Sequence, residues 1–216
     1  MRVGAYIDGL NLYYGGRHLC GRGTPGWRWL DVPKLAELLV SRNKDWIEQQ
    51  AVVHRIAYCS AMIDGVPDAH APQRQRTYLA ALDADSRVAI ELGTFVNRNV
   101  KGINVSTGAI QTVQVPEEKG SDVNVASHLL IDVLTHRIDA AVLITNDSDL
   151  RLPAQRARDH LPLGTVNPRG TPTAQALRGR PDDGASGHWW YSLTAEDFFS
   201  CQLSDAVGEH RKPAGW

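Results

Sequence analysis

Residues 140–150 read AAVLITNDSDL. The apolar run 140–145 reads as a strand, the polar turn after it carries Asp147 and Asp149, and a helical pattern follows over about 149–160. Upstream, SDVNVASHLLIDVLTHR (121–137) predicts a helix with Val125, Leu129 and Val133 on one stripe. Downstream, LPLGTVNP (161–168) predicts another strand. RVGAYID (2–8), VVHRIAYCSA (52–61) and RVAIELGTFV (87–96) supply three more strands. Between them lie a helix at 31–42, with Asp31 as N-cap and Pro33 in its first turn, and a crossover helix within 68–85. Helix and strand alternate, which predicts an α/β fold with a central, mostly parallel sheet and helices on both faces. KGINVSTGAIQTVQV (101–115) alternates around Thr107 and Gly108 and predicts a hairpin or extended insertion. RGRPDDGASGH (178–188) reads as a loop before a closing strand and helix, with a frayed tail from about 206.

The chain has 216 residues, 43% hydrophobic and 22% charged, enough to bury a sizeable core in one domain. Its formal net charge of -1 excludes a strongly basic coat, so a polyanionic partner has to be held by a local patch or through metal ions. Cys20, Cys59 and Cys201 are widely spaced and odd in number, which fits reduced thiols and a cytoplasmic location better than a disulfide framework. No run approaches the roughly 18 to 20 apolar residues that span a bilayer, and the N-terminus lacks a signal-peptide pattern; a soluble protein with no membrane partner is expected.

In open parallel sheets ligands gather beyond the carboxyl ends of the strands. Asp8 follows the first strand, Asp147 and Asp149 follow residues 140–145, and Asp122 starts a helix at the same edge, with Asn11 within reach. Taken singly, Asp122 and Asp149 also fit helix caps, Asp8 a turn and Asn11 an N-cap. Together they form a cluster of like charges that is costly without a cation. Carboxylate oxygens without His or Cys suit Mg²⁺ or Mn²⁺ rather than zinc. No glycine-rich phosphate loop follows a strand, so no organic cofactor is expected.

YIDGLNLYYG, EEKGSDVNVASHLLIDV and AAVLITNDSDL, in this order, resemble the signature segments of the NYN domain family, a branch of the PIN-like nucleases. The resemblance spans roughly residues 2–168. It implies a three-layer PIN-like, Rossmannoid fold and metal-dependent cleavage of RNA, and it carries the catalytic role onto Asp8, Asp122, Asp147 and Asp149, with Asn11 in support. One departure is Asn146, where many members carry glycine before the first aspartate of this segment. The resulting division is a nuclease-like domain at 1–170, an extension at 171–205 packing on it, and a flexible tail at 206–216.

For the chemistry, Asp8, Asp122 and Asp147 are expected to hold a metal, and Asp149 to bind a second ion or orient the nucleophile. Lys119 is a candidate phosphate contact. Arg151, Arg156, Arg158, Arg169, Arg178 and Arg180 face only Asp159 between residues 150 and 181; Arg74, Arg76, Arg98 and Lys101 complete a candidate nucleic-acid groove. Tyr13, Tyr14, Trp27 and Trp29 are candidates for base stacking or for core packing. The leading expectation is an endoribonuclease acting on RNA. A catalytically weak RNA-binding module and a DNA nuclease are the alternatives, and the C-terminal tryptophans permit a homodimer without demanding one.

Overall fold

The computed structural model describes residues 1–63, 68–185 and 187–216. Ser186, inside the loop read at 178–188, lies outside the described residues. The elements run β1 (Arg2–Asp8), α1 (Gly9–Cys20), α2 (Val32–Val40), α3 (Lys44–Glu48), β2 (Val52–Ala61), α4 (Ala71–Asp83), β3 (Val88–Ile103) and β4 (Ile110–Lys119). The chain continues with α5 (Ser121–Leu134), β5 (Ala140–Ile144), a 3₁₀ turn (Ser148–Leu150), α6 (Arg151–Arg158), β6 (Leu163–Asn167), α7 (Gln175–Arg178), β7 (Trp189–Ser192), α8 (Ala195–Ser200), β8 (Ala206–Val207) and β9 (His210–Arg211).

Seven strands form one sheet in the order β4-β3-β2-β1-β5-β6-β7. Every neighbouring pair is parallel except β3 and β4, which form an antiparallel ribbon. The expectation of a mostly parallel α/β sheet therefore holds. β1 lies in the middle, and the chain leaves it to one side through β2 and β3 before returning on the other through β5. That reversal makes the crevice between the carboxyl ends of β1 and β5 the topological switch point, where ligands of such sheets bind.

Successive side chains of a strand point to opposite faces, and the two cores divide accordingly. Val3, Ala5 and Ile7 of β1 and Val142 and Ile144 of β5 pack with Leu35 and Leu39 of α2, Leu79 and Leu82 of α4, and Phe198 of α8. Tyr6 of β1 and Ala141 and Leu143 of β5 pack on the other face with Val125, Leu129 and Val133 of α5 and Ala154 and Ala157 of α6. The second stripe is the one the spacing of 121–137 predicts.

Three elements differ from expectation. α1 has a sequence with three glycines, a poor helix by propensity, yet Gly15 packs so closely on the Pro168 carbonyl that a Cβ there would overlap it. Tertiary packing selects this helix. The ribbon β3–β4 is longer than the expected strand and hairpin, because cross-strand pairing continues from Thr94–Lys119 out to Ile103–Ile110, with a turn at Gly108 (φ 71°). Residues 206–216, which read as a frayed tail, form the β8–β9 hairpin, and Trp216 packs on Trp29 and Tyr78 with ring centroids 6.4 and 5.8 Å apart. Among the described residues no helix is long and apolar enough to cross a membrane.

Candidate active site

Asp8 ends β1 and caps α1. Its Oδ1 accepts the backbone N–H of Asn11 at 2.9 Å, and its Oδ2 accepts the hydroxyl of Thr145 at 3.1 Å. The carboxylate is 3% exposed, so burial pushes its pKa up; these two donors and the nearby Arg169 oppose that shift, and Asp147 reinforces it. Asn11 is therefore not the helix cap but a donor to it. Its side-chain Oδ1 accepts the backbone N–H of Asn146 at 3.2 Å, which ties the start of α1 to the end of β5. Gly9 between them has no room for a side chain, since a Cβ would sit 2.8 Å from the Tyr58 ring.

β5 delivers the second group. Thr145 is fully buried; its hydroxyl donates to Asp8 and accepts the backbone N–H of Asp147 at 3.1 Å. Asp147 in turn caps the 3₁₀ turn, its Oδ1 accepting the backbone N–H of Asp149 at 3.0 Å. One threonine thus fixes two acidic residues from separate strands. Asp149 is exposed at the start of that turn.

Asp122 stands in the first turn of α5. The preceding Gly120 supplies no side-chain cap, and Glu118 takes that role, accepting the Ser121 N–H and hydroxyl at 2.9 Å each. The Asp122 carboxyl is pushed up to about 6, first by burial and then by the charges of Asp8, Asp147, Glu118 and Asp149. Five carboxylates therefore share one field at the switch point. The oxygen-only donor set suits Mg²⁺ or Mn²⁺. Among the described residues, however, no three His, Cys, Asp or Glu side chains stand close enough to form a ready-made metal shell. The residues fit the ion by charge and chemistry without being drawn into a closed cage.

A family model, the NYN domain, matches residues 2–178. The chain belongs to the NYN domain family. With that membership comes a nuclease fold of the PIN-like type. Among curated proteins, the chain is 31% identical over 244 aligned positions to the 6-hydroxy-3-succinoylpyridine 3-monooxygenase HspA of Pseudomonas putida, covering all of this chain and 75% of that protein. A crystal structure of a protein of unknown function from Vibrio parahaemolyticus matches with a TM-score of 0.51 at 16% identity, covering 91% of this chain and 94% of that one, and shares the fold.

Asn146, the departure in the third signature segment of this NYN domain, has a structural role. Its side chain accepts the Ala174 N–H at 2.7 Å and donates to the Pro172 carbonyl at 3.3 Å, with Thr171 Oγ1 at 3.5 Å. It latches the 171–174 segment beside the acidic cluster. Thr145, Glu118 and this latch are what sequence reasoning missed. Thr145 offers one signal, its place as the last strand residue before the turn.

The basic candidates are dispersed. Lys119 and Arg98 both pair with Glu117, the latter at 3.1 Å, on the β3–β4 ribbon, where Lys101 is also exposed. Arg74 pairs with Asp68, and Arg76 donates to Gln73 at 3.3 Å. Arg151 is exposed directly after the Asp149 turn. Arg158 is not part of any surface patch: it is 2% exposed and donates to Thr165 at 3.0 Å and to the Leu177 carbonyl. Trp27 and Trp29 are core residues at 2% and 0% exposure, which removes them as stacking platforms, whereas Tyr13 and Tyr14 are exposed and pack edge to face at 5.5 Å.

Proposed function

We propose that this NYN domain is a metal-dependent endoribonuclease that hydrolyses phosphodiester bonds of single-stranded or structured RNA at Asp8, Asp122, Asp147 and Asp149. The observation that carries this reading is the gathering of these carboxylates at the switch point of a PIN-like sheet, where burial first and their mutual repulsion second push Asp122 to about 6. Asp8, Asp122 and Asp147 would hold Mg²⁺ or Mn²⁺, with Asp149 at a second position or against the attacking water. When bound, such an ion supplies Lewis acidity toward a phosphate and acidifies water. The chain's own contribution is positional. Thr145 and Asn11 hold Asp8 in one orientation, the 3₁₀ turn fixes Asp147 relative to Asp149, and Arg169 lends positive charge at the rim.

The test is cleavage of single-stranded RNA, and of matched DNA, by the purified chain in Mn²⁺, Mg²⁺ or EDTA, beside Asp147→Asn. Asparagine keeps an Oδ1 acceptor for the Asp149 N–H, so the turn survives while the charge is lost. Metal-dependent cutting of RNA that falls about a hundredfold or more in the variant is the expected result. Cutting of DNA alone would move the substrate class. RNA binding without cutting would leave the binding-module reading instead.

A second reading rests on the relative from Pseudomonas putida, whose similarity covers the whole chain, including residues 179–216 that lie beyond the family match. On that reading the chain oxidises a hydroxypyridine acid. Oxygen uptake with 6-hydroxy-3-succinoylpyridine and an added two-electron donor, measured on the same preparation, tests it.

A further inference from the structure

At the opposite edge of the sheet from the carboxylates lies a cavity of about 280 Å³ lined by Arg2, His54, Arg55, Ser86, Arg87 and Arg137. It is built from the start of β1, the first half of β2, the residues leading into β3 and the segment after α5. Neither an acidic nor an apolar side chain lines it among the described residues. We propose that this cavity is an oxyanion site that takes a phosphate group.

Four arginines in one place repel unless something holds them, and here four carboxylates do so from outside the cavity wall. Asp139 accepts Arg2 Nη2 at 2.7 Å. Asp132, fully buried, lies 2.7 Å from Arg55 Nε and 3.3 Å from Arg137 Nη1, and also accepts the Tyr6 hydroxyl at 2.9 Å. Asp85 and Glu37 each lie 2.7 Å from the Arg87 guanidinium. The forks are thereby oriented and mutually tolerable, yet their donors are not used up. Among the described residues, Arg2 Nη1, Arg55 Nη1, and Arg137 Nε and Nη2 have no protein acceptor. A planar carboxylate is satisfied by one bidentate fork. Free donors arriving from β1, β2 and the segment after α5 suit a tetrahedral anion, with the Ser86 hydroxyl and His54 available to further oxygens. With no Phe, Tyr or Trp side chain in the wall to stack on a base, the phosphate is the group recognised.

The site is independent of the nuclease reading. β1 separates Arg2 from Asp8 by about 20 Å of extended chain, so neither set of side chains reaches the other's ligand. Its ligand is a free phosphate or nucleotide, or the terminal phosphate of an RNA. The experiment titrates inorganic phosphate, AMP, and one RNA oligonucleotide with and without a 5′-phosphate into the full chain in EDTA, followed by calorimetry, with Arg137→Gln and His54→Gln as variants. Arg137 is mostly exposed and Asp132 keeps its contact with Arg55 without it, so the first variant folds. Saturable binding of phosphate and AMP within about threefold of each other is expected, because no Phe, Tyr or Trp lines the wall to stack on the adenine. Arg137→Gln should weaken both about tenfold. Tighter binding of the 5′-phosphorylated oligonucleotide than of its hydroxyl form identifies the RNA terminus as the source, and equal binding identifies the small ligands. Absence of saturable phosphate binding, binding of AMP without phosphate, or unchanged binding in both variants would overturn the proposal.

Discussion

The two ends of β1 carry opposite solutions to the same problem. At the amino end, Arg2 and its three neighbouring arginines are balanced by four carboxylates, and the Asp139 carboxyl is held down to about 2 by Arg2. At the carboxyl end, Asp8 meets Asp147 and Asp122 with Arg169 as the cation acting on it, and burial and repulsion push the acids up. Seven residues of one buried strand thus separate a compensated edge from an uncompensated one. Pairing orients the arginines while leaving some of their donors for a ligand, whereas an uncompensated acidic cluster costs stability and is retained for binding a cation from outside.

The sharpest way to break that contrast is at the paired edge. Asp132→Ala removes a fully buried carboxylate and leaves Arg55, itself mostly buried, without its partner. A loss of about 3–5 kcal/mol in urea unfolding is expected. A loss below about 1 kcal/mol would mean that water already screens the pair.

At the uncompensated edge the sign reverses, and the effect is smaller. The Asp122 carboxyl sits at about 6 in the folded chain against an ordinary 3.8, so the folded state holds its proton more tightly than the unfolded chain does. The associated stability is complete below about pH 3.8 and is lost as pH rises through about 6. Asp122→Asn should therefore stabilise the chain at pH 7.5 by about 1–2 kcal/mol, a value discounted for partial exposure, while lowering cleavage. The gap between variant and wild type should close on titration toward pH 4, and Mn²⁺ should narrow it at pH 7.5 by binding the folded wild type. An unchanged gap across that range would show that repulsion does not shape this edge.

The smallest effect is expected at Arg2. Its side chain is about half exposed, and Asp139 also accepts the Arg2 backbone N–H at 2.7 Å, a bond no substitution removes. Arg2→Gln should leave the urea midpoint unchanged, in contrast to Asp132→Ala.

The uncompensated edge was the more legible of the two in the sequence. Asp8, Asp147 and Asp149 each follow a run of apolar residues, and Asp122 opens a regular helical stripe, so the order of elements alone brings them to one rim. The paired edge was not legible, because Arg55 and Asp132 are 77 residues apart and nothing local marks them as partners. α1 escaped for a related reason: Gly9, Gly15 and Gly16 lower its propensity, and the contacts that require them, with Tyr58, Pro168 and Phe198, come from three distant segments. The ribbon β3–β4 showed its turn but not its length, since most of it packs on no core that would impose a burial pattern.

The bond between Thr145 and Asp8 joins residues 137 positions apart. During synthesis β1 leaves the ribosome long before β5, the strand that completes the crevice, has been translated. A nascent fragment ending before residue 145 lacks both the threonine that orients Asp8 and the turn that presents Asp147. The acidic cluster therefore exists only once residues 145–149 have joined β1. For a chain whose proposed substrate is RNA, no nascent fragment that ends before that point carries the proposed site.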